Sequence, residues 1–221
     1  MTVIAIDGPS GSGKSTVAKA LATQLGWAYL DTGAMYRAAA VWVRRAGALD
    51  SPERMPELVR DMPLRISLDP GDQRVFLGDD PVTDVIRSSE VSALVSKVST
   101  VIPVRQVLVA RQRELVAERR EAGIVVEGRD ITTVVAPDAE VRVLIAASPE
   151  VRLRRRALDQ LGRGDADALA ATADEVLRRD RDDATVAEFM AAPPGVTLVD
   201  SSDLTVDETV AAVAALLPER A

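Results

Sequence analysis

No cysteine, histidine or asparagine occurs among the 221 residues. Without cysteine there is neither a disulfide framework nor thiolate chemistry. Without histidine no imidazole acid/base scheme can operate, and without asparagine the Asn-Lys-x-Asp guanine reader of P-loop GTPases is excluded. Lysine is confined to Lys14, Lys19 and Lys97, so positive charge rests almost wholly on arginine, whose planar fork suits phosphate. An Arg, Ala and Val-rich composition can equally reflect codon bias, so this preference decides nothing alone. No apolar run approaches bilayer-spanning length, and the first strand pattern begins at once, leaving no room for a signal peptide. Cytoplasm is therefore the expected location, with no membrane partner. A net charge of −7 argues against binding a nucleic acid polymer as the main task. The length suits one well-buried α/β domain with appendages.

What is present is concentrated first in Val3 to Ala18, which has the pattern strand, glycine loop, helix. Val3 to Ile6 is wholly apolar, as in a strand buried on both faces. Lys14 to Gln24 opens a helix with Val17, Ala18, Leu21, Ala22 and Leu25 in helical spacing. Between them lies Gly8-Pro9-Ser10-Gly11-Ser12-Gly13-Lys14-Ser15-Thr16, a P-loop pattern. Its backbone N–H groups turn inward on one concavity and the helix adds the positive end of its dipole, so a polyphosphate finds donors there. Lys14 then reaches the outer phosphates and the Ser15 hydroxyl ligates Mg²⁺. The alternative, a glycine turn with a chance lysine, has no use for the flanking strand and helix.

Trp27 to Leu30 predicts a second strand, closed by Asp31-Thr32-Gly33 before a helix from Ala34 to Arg45. Thr32 and Arg37 stand where open parallel sheets keep their ligands. They can take a second anion, or Thr32 can cap the helix while Arg37 is solvated; position alone does not choose. After turn-rich Gly47 to Pro56 and a short helix near Glu57 to Asp61, the pattern changes. From Leu64 to Leu77 apolar and polar residues alternate about Pro70-Gly71-Asp72, the signature of a two-stranded hairpin. Antiparallel ribbon has no place in a parallel core, so 64–99 is expected to be an inserted subdomain ending in a helix from Ser88 to Val98. Pro103 opens a long helix, and Ser96 and Arg105 flank the junction.

Ile124 to Val126 is a third core strand, followed by Glu127-Gly128-Arg129-Asp130. Glu127 is placed to orient Mg²⁺ or its waters. Arg129 and Asp130 are charges at the ligand end of the sheet, or else members of neighbouring salt bridges. Val141 to Ala146 is a fourth strand, and Ser148-Pro149 starts a helix with Arg152, Arg154, Arg155 and Arg156. Gly162-Arg163-Gly164-Asp165 interrupts it before Thr172 resumes, so 158–167 is expected to form a mobile lid. Next, Arg178-Arg179-Asp180-Arg181-Asp182-Asp183 puts Arg179 and Asp183 on one helix face. Taken alone, that run is a solvated face. Val196 to Val199 is a fifth strand and Thr205 to Leu217 a closing helix, capped by Thr205 or Ser202. The expected fold is α/β: a five-stranded parallel sheet flanked by helices, with core segments 1–63, 100–157 and 168–221. No apolar stripe is left beyond the core, so a monomer is expected.

A P-loop, a second anion site, an insert and an arginine lid together describe phosphoryl transfer between two bound substrates. Such transfer needs positioning and cations more than a nucleophilic side chain, and a lid that excludes water. The segments GPSGSGKST, LDTGAMYR, the hairpin insert, EGRDITTVV followed by PDA, and the RRD…D helix resemble, in this order, bacterial cytidylate kinases. These are nucleoside monophosphate kinases of the P-loop fold. The likeness spans essentially the whole chain, and LDTGAMYR and GRD are far more specific than the P-loop.

The resemblance implies ATP with CMP or dCMP as substrates, ADP with CDP or dCDP as products, Mg²⁺ as cofactor and a place in pyrimidine nucleotide metabolism. It gives the monophosphate to Thr32, Arg37, Ser96, Arg105, Arg129, Asp130, Arg179 and Asp183. ATP falls to Gly8 through Thr16 and to Arg152, Arg155 and Arg156, with Lys14, Arg129, Arg155 and Arg179 as catalytic cations. Asp130 would accept from the cytosine N4 amino group while Ser96 and Arg105 donate to N3 and O2. Uracil offers a lone pair in place of that amino group and would leave Asp130 facing it, a mismatch worth on the order of several kcal/mol. Arg37, Arg129 and Arg179 would hold the 5′-phosphate, and Asp183 would accept from a sugar hydroxyl.

Two positions depart from the family pattern. Val186 stands where an arginine follows the matched aspartate, leaving Arg181 as a candidate substitute, and Thr132 stands where glycine is common. Two other readings compete: a UMP, AMP or shikimate type of P-loop kinase, which has no reason for the Ser96, Arg105 and Asp130 set, and a nucleotide-binding module without turnover.

Overall fold

The computed structural model describes residues 2–163, 165–187 and 189–218, and for 160, 161, 166, 174–177 and 179 it describes the main chain alone. β1 (Val3–Asp7) leads through the glycine loop into α1 (Lys14–Leu25), and β2 (Ala28–Asp31) into α2 (Thr32–Arg45) and α3 (Met55–Arg60). There follow β3 (Leu64–Ile66), β4 (Val75–Leu77), β5 (Asp80–Pro81), a 3₁₀ turn at Val85–Arg87, α4 (Ser89–Ser99) and α5 (Ile102–Arg119). The chain closes with β6 (Ile124–Gly128), β7 (Val141–Ala146), α6 (Pro149–Leu161), α7 (Ala166–Ala184), β8 (Thr197–Asp200) and α8 (Val206–Ala214).

β1 is fully buried at the centre of a parallel sheet ordered β2-β6-β1-β7-β8. Its alternation serves both faces. Ile4 and Ile6 pack with Val17, Leu21, Val210 and Val213 under α1 and α8, while Val3 and Ala5 pack with Val109, Leu115 and Val116 of α5. Register then sets the site: Ile6 lies opposite Glu127, Asp31 opposite Glu127, and Asp7 opposite Gly128 and Leu144. The carboxyl ends of the three strands therefore deliver the P-loop, Asp31 and Glu127 to one edge.

β3, β4 and β5 form a separate antiparallel sheet. The hairpin expectation holds, and a two-residue third strand extends it. Val75, Leu77, Ile86, Val91, Val95 and Val98 share one apolar cluster with Val41 and Val43 of α2, Met55 and Val59 of α3 and Val104 and Leu108 of α5.

Helix starts follow side-chain chemistry. α7 begins at Ala166, earlier than Thr172, because the Asp165 carboxylate caps it by accepting from the Ala168 N–H at 2.9 Å. The link between α6 and α7 is correspondingly confined to 162–165. Thr205, rather than Ser202, closes a capping box with Glu208 on α8.

Candidate active site

A cleft of about 1110 Å³ opens at the carboxyl edge of the sheet, between the P-loop, the insert and the two arginine-bearing helices. Gly13, with φ 87°, precedes α1, and no side chain caps that helix. Its first-turn N–H groups are thus left to an anion. Ser12 lines the cleft, while its buried hydroxyl lies on the Gly8 side and has no hydrogen-bond partner among the described residues. Pro9 and Gly8 lie behind these residues, the Gly8 carbonyl accepting from Arg129 at 2.5 Å. Ser10, Gly11, Lys14, Ser15 and Thr16 line the cleft itself.

Glu127 organises the end of the cleft beside the P-loop helix. Its carboxylate accepts from the Ser15 hydroxyl at 2.6 Å and from the Tyr29 phenol at 3.4 Å, and lies 3.9 Å from the Lys14 ammonium. Burial, reinforced by the charge of Asp31, raises its carboxyl above the ordinary value, against the pull of Lys14, Ser15 and Arg129. Burial likewise pushes the Tyr29 phenol up, helped by Glu127. Among the described residues no group of three or more His, Cys, Asp or Glu could hold a metal by itself. One hydroxyl and one carboxylate beside a polyphosphate cradle do fit Mg²⁺, which keeps several waters and takes the rest of its shell from phosphates.

On the acceptor side, Asp31 caps α2 by accepting from the Ala34 N–H. Thr32 is released from that duty, and its hydroxyl donates to the Glu127 carbonyl at 2.8 Å. Arg37 is not solvated; it donates to the Ile86 carbonyl at 3.1 Å and the Ser92 hydroxyl at 2.7 Å, tying α2 to the insert. Arg105 and Asp130 form a buried ion pair at 2.5 Å. Arg105 also donates to the Ser99 carbonyl and lies 5.5 Å from the centre of the Tyr36 ring. Ser96 does not line the cleft; Val95 and Ser99 do. The helical period turns Ser96 aside by one position, and its carbonyl accepts from the Thr100 hydroxyl at 2.6 Å.

The third wall comes from α6 and α7. Asp183 accepts from Arg129 at 3.0 Å, and the Arg129 guanidinium lies 4.7 Å from the Phe189 ring centre. Asp180 accepts from the Ser10 N–H at 3.1 Å, pairs with Arg152 and lies 3.5 Å from Arg129. Arg152 is therefore buried beneath the P-loop, where it also donates to the Ser10 carbonyl, and it does not line the cleft. Arg155 does line it, donating to the Ser12 carbonyl and to the hydroxyl and carbonyl of Ser201. Arg156 lines it too and pairs with Asp159 at 3.2 Å. Arg179 lies on α7, but its side chain is outside the described residues. Arg181 is exposed and is not a cleft residue.

With this geometry in view, the comparisons with known proteins are decisive. The family model for cytidylate kinase matches residues 4–219. The chain belongs to the cytidylate kinase family. A cytidylate kinase of Cutibacterium acnes is 46% identical over 98% of this chain and 96% of its own length. Another, from Nocardia farcinica, is 46% identical over 94% of this chain and 90% of its own. A solved structure of an uncharacterized protein from Eubacterium ventriosum matches over 100% of both chains with a TM-score of 0.53 at 13% identity, a likeness of fold.

In this member of the cytidylate kinase family, sequence reasoning missed Asp180 and Asp7. Asp180 sat inside a run of charges whose buried side the helical period does not reveal. Asp7 ends β1, where its carboxylate accepts from the Ile131 and Thr132 N–H groups and from the Thr132 hydroxyl at 2.6 Å. Thr132, in the place where glycine is common, thus adds a bond that fixes the π-helical turn Ile131–Val135 after Asp130. Tyr36, Arg87 and Ser99 also line the cleft without having been singled out.

Proposed function

We propose that this kinase transfers the γ-phosphoryl group of ATP to the 5′-phosphate of CMP or dCMP, yielding ADP and CDP or dCDP. The observation that carries the reading is the buried Arg105–Asp130 pair facing the same cleft as the P-loop. A cation that donates beside a carboxylate that accepts is complementary to cytosine, with its acceptors at N3 and O2 and its donor at N4. Residues 64–99 serve as the monophosphate-binding insert and 158–167 as the lid.

The P-loop N–H groups and Lys14 hold the ATP phosphates. Ser15 and Glu127 would hold Mg²⁺ directly or through its waters. When bound, that ion neutralises charge on the β- and γ-phosphates. Thr32, Arg37, Arg129 and Arg179 receive the acceptor phosphate, and Asp183 accepts from a sugar hydroxyl. Arg155 and Arg156 close on the ATP phosphates from α6, while Arg152 acts from beneath by holding Ser10 in place. No general base is required, because the acceptor phosphate is already largely deprotonated at neutral pH. Ser99 and Val95 shape the base pocket next to Arg105, with Ser96 on the adjoining face. The enzyme works as a cytoplasmic monomer on free nucleotides.

The reading is tested by following ADP formation from Mg·ATP with CMP, dCMP, UMP, AMP or no acceptor. Fast turnover with CMP and dCMP and slow turnover with UMP and AMP is expected. Preference for AMP or UMP would overturn the base assignment, and ADP formation independent of any acceptor would overturn the kinase reading.

A further inference from the structure

Among the described residues six arginines line the cleft: Arg37, Arg87, Arg105, Arg129, Arg155 and Arg156. Five are engaged by the protein itself, through Ile86 and Ser92, Asp130, Asp183, Ser201 and Asp159 respectively. Arg87 differs from the rest. It is exposed, and its guanidinium makes no hydrogen bond or ion pair among the described residues.

Its backbone, by contrast, is pinned on both sides. Ile86 is completely buried, and its carbonyl is held by Arg37. Ser88 caps α4 by accepting from the Val91 N–H. A rigid turn thus presents a free guanidinium to the cleft. Arg87 is also near enough for its charge to act on the Tyr29 phenol, which adjoins Glu127 and, through it, Ser15. It lines the same cleft as Ser10 to Thr16 of the P-loop.

We propose that Arg87 is a further catalytic residue, binding the acceptor phosphate and the phosphoryl group in flight; this rests on the kinase reading above. In the step, an acceptor phosphate oxygen forms a bond to the γ-phosphorus. The bond from that phosphorus to the bridging oxygen breaks, and its electron pair leaves with ADP. The charge is spread over the transferring oxygens at that moment, where a guanidinium gains most.

The test compares wild type with Arg87→Ala and Arg87→Lys by steady-state kinetics, by thermal unfolding, and by calorimetric binding of CMP and of cytidine. Arg87→Ala should lower kcat with CMP on the order of 10²-fold with KM for ATP nearly unchanged. It should weaken CMP binding about tenfold. Cytidine binding and Tm should stay at wild-type values, and Arg87→Lys should recover part of kcat. Unchanged kcat and CMP affinity in Arg87→Ala would overturn the proposal while the kinase reading stood. Equal loss of CMP and cytidine binding would overturn it in favour of a structural role. A wild type that makes no ADP with CMP would instead remove the kinase reading, and this proposal with it.

Discussion

Asp130 and Arg105 are both buried, and each offsets the other's lost hydration, Arg105 with added help from the Ser99 carbonyl. Removing one partner of such a pair typically costs about 3–5 kcal/mol, because the survivor stays charged in a poor solvent. Asp130→Ala is thus expected to lower both stability and kcat/KM for CMP, the latter by at least about 100-fold. Asp130→Asn is the sharper variant: its amide can donate to the uracil O4, so the CMP-to-UMP ratio of kcat/KM should fall further than the CMP value itself. A ratio that stays put would remove Asp130 from base reading. Asp7 gives a pH test. Burial raises its carboxyl above the ordinary 3.8 despite the bonds from Thr132 and Ile131. The unfolded chain then releases this proton first, so Asp7 contributes stability below the ordinary value that is lost as pH rises through the raised one. Asp7→Asn should remove that slope from urea unfolding measured between about pH 4 and 7, while costing about 1–3 kcal/mol through the mismatched amide. Identical slopes in the two proteins would refute this. Which charges would be buried was the least legible feature at this scale. Spacing alone left Arg129 and Asp130 open to a salt-bridge reading; both do form such bridges, and both also line the cleft.

Elements were far more legible, because strand and helix periods are local while burial of a charge is not. The apolar run at Val3 and the alternation around Pro70-Gly71-Asp72 led directly to β1 and to the β3–β4 hairpin. The start of α7 was missed because a single cap, Asp165, set it. Ser96 was placed on the correct helix but one position off the face that meets the cleft. Two element junctions are tight enough to test. Gly11 has φ 77°, and a Cβ there would lie 2.4 Å from the Arg152 carbonyl oxygen, so the P-loop and α6 touch at that point. Gly11→Ala should push them apart, raising KM for ATP by about tenfold and destabilising by about 1–3 kcal/mol. At Gly128 a Cβ would lie 2.4 Å from the Thr32 hydroxyl. Gly128→Ala should therefore displace Thr32 from the Glu127 carbonyl and raise KM for CMP more than KM for ATP. Equal rises in the two constants would contradict that geometry.

At the scale of the whole molecule, the parallel sheet provides one rigid edge, and the insert and the α6–α7 pair form the other two walls of the cleft. Arg37 joins the insert to α2, and Asp180 joins α7 to the P-loop and α6. Both walls present arginines to the cleft, Arg87 on one and Arg155 and Arg156 on the other, so a ligand carrying adenosine and cytidine joined through a chain of phosphates should engage them together. Such a ligand is expected to slow amide hydrogen exchange in 64–99 and 158–167 more than ATP or CMP does alone, and to bind less tightly as salt rises. Additive protection from the two separate nucleotides would mean that the walls move independently. The α/β architecture and the P-loop were legible because both are written in contiguous residues. The cleft's ion pairs join α5 to the segment after β6, and α7 to the P-loop, and only the fold brings those distant stretches together. The most direct test of the account is to follow the γ-phosphoryl label of [γ-³²P]ATP in the presence of CMP. Label recovered in the β-phosphate of CDP is the expected result, and label recovered only as inorganic phosphate would contradict it.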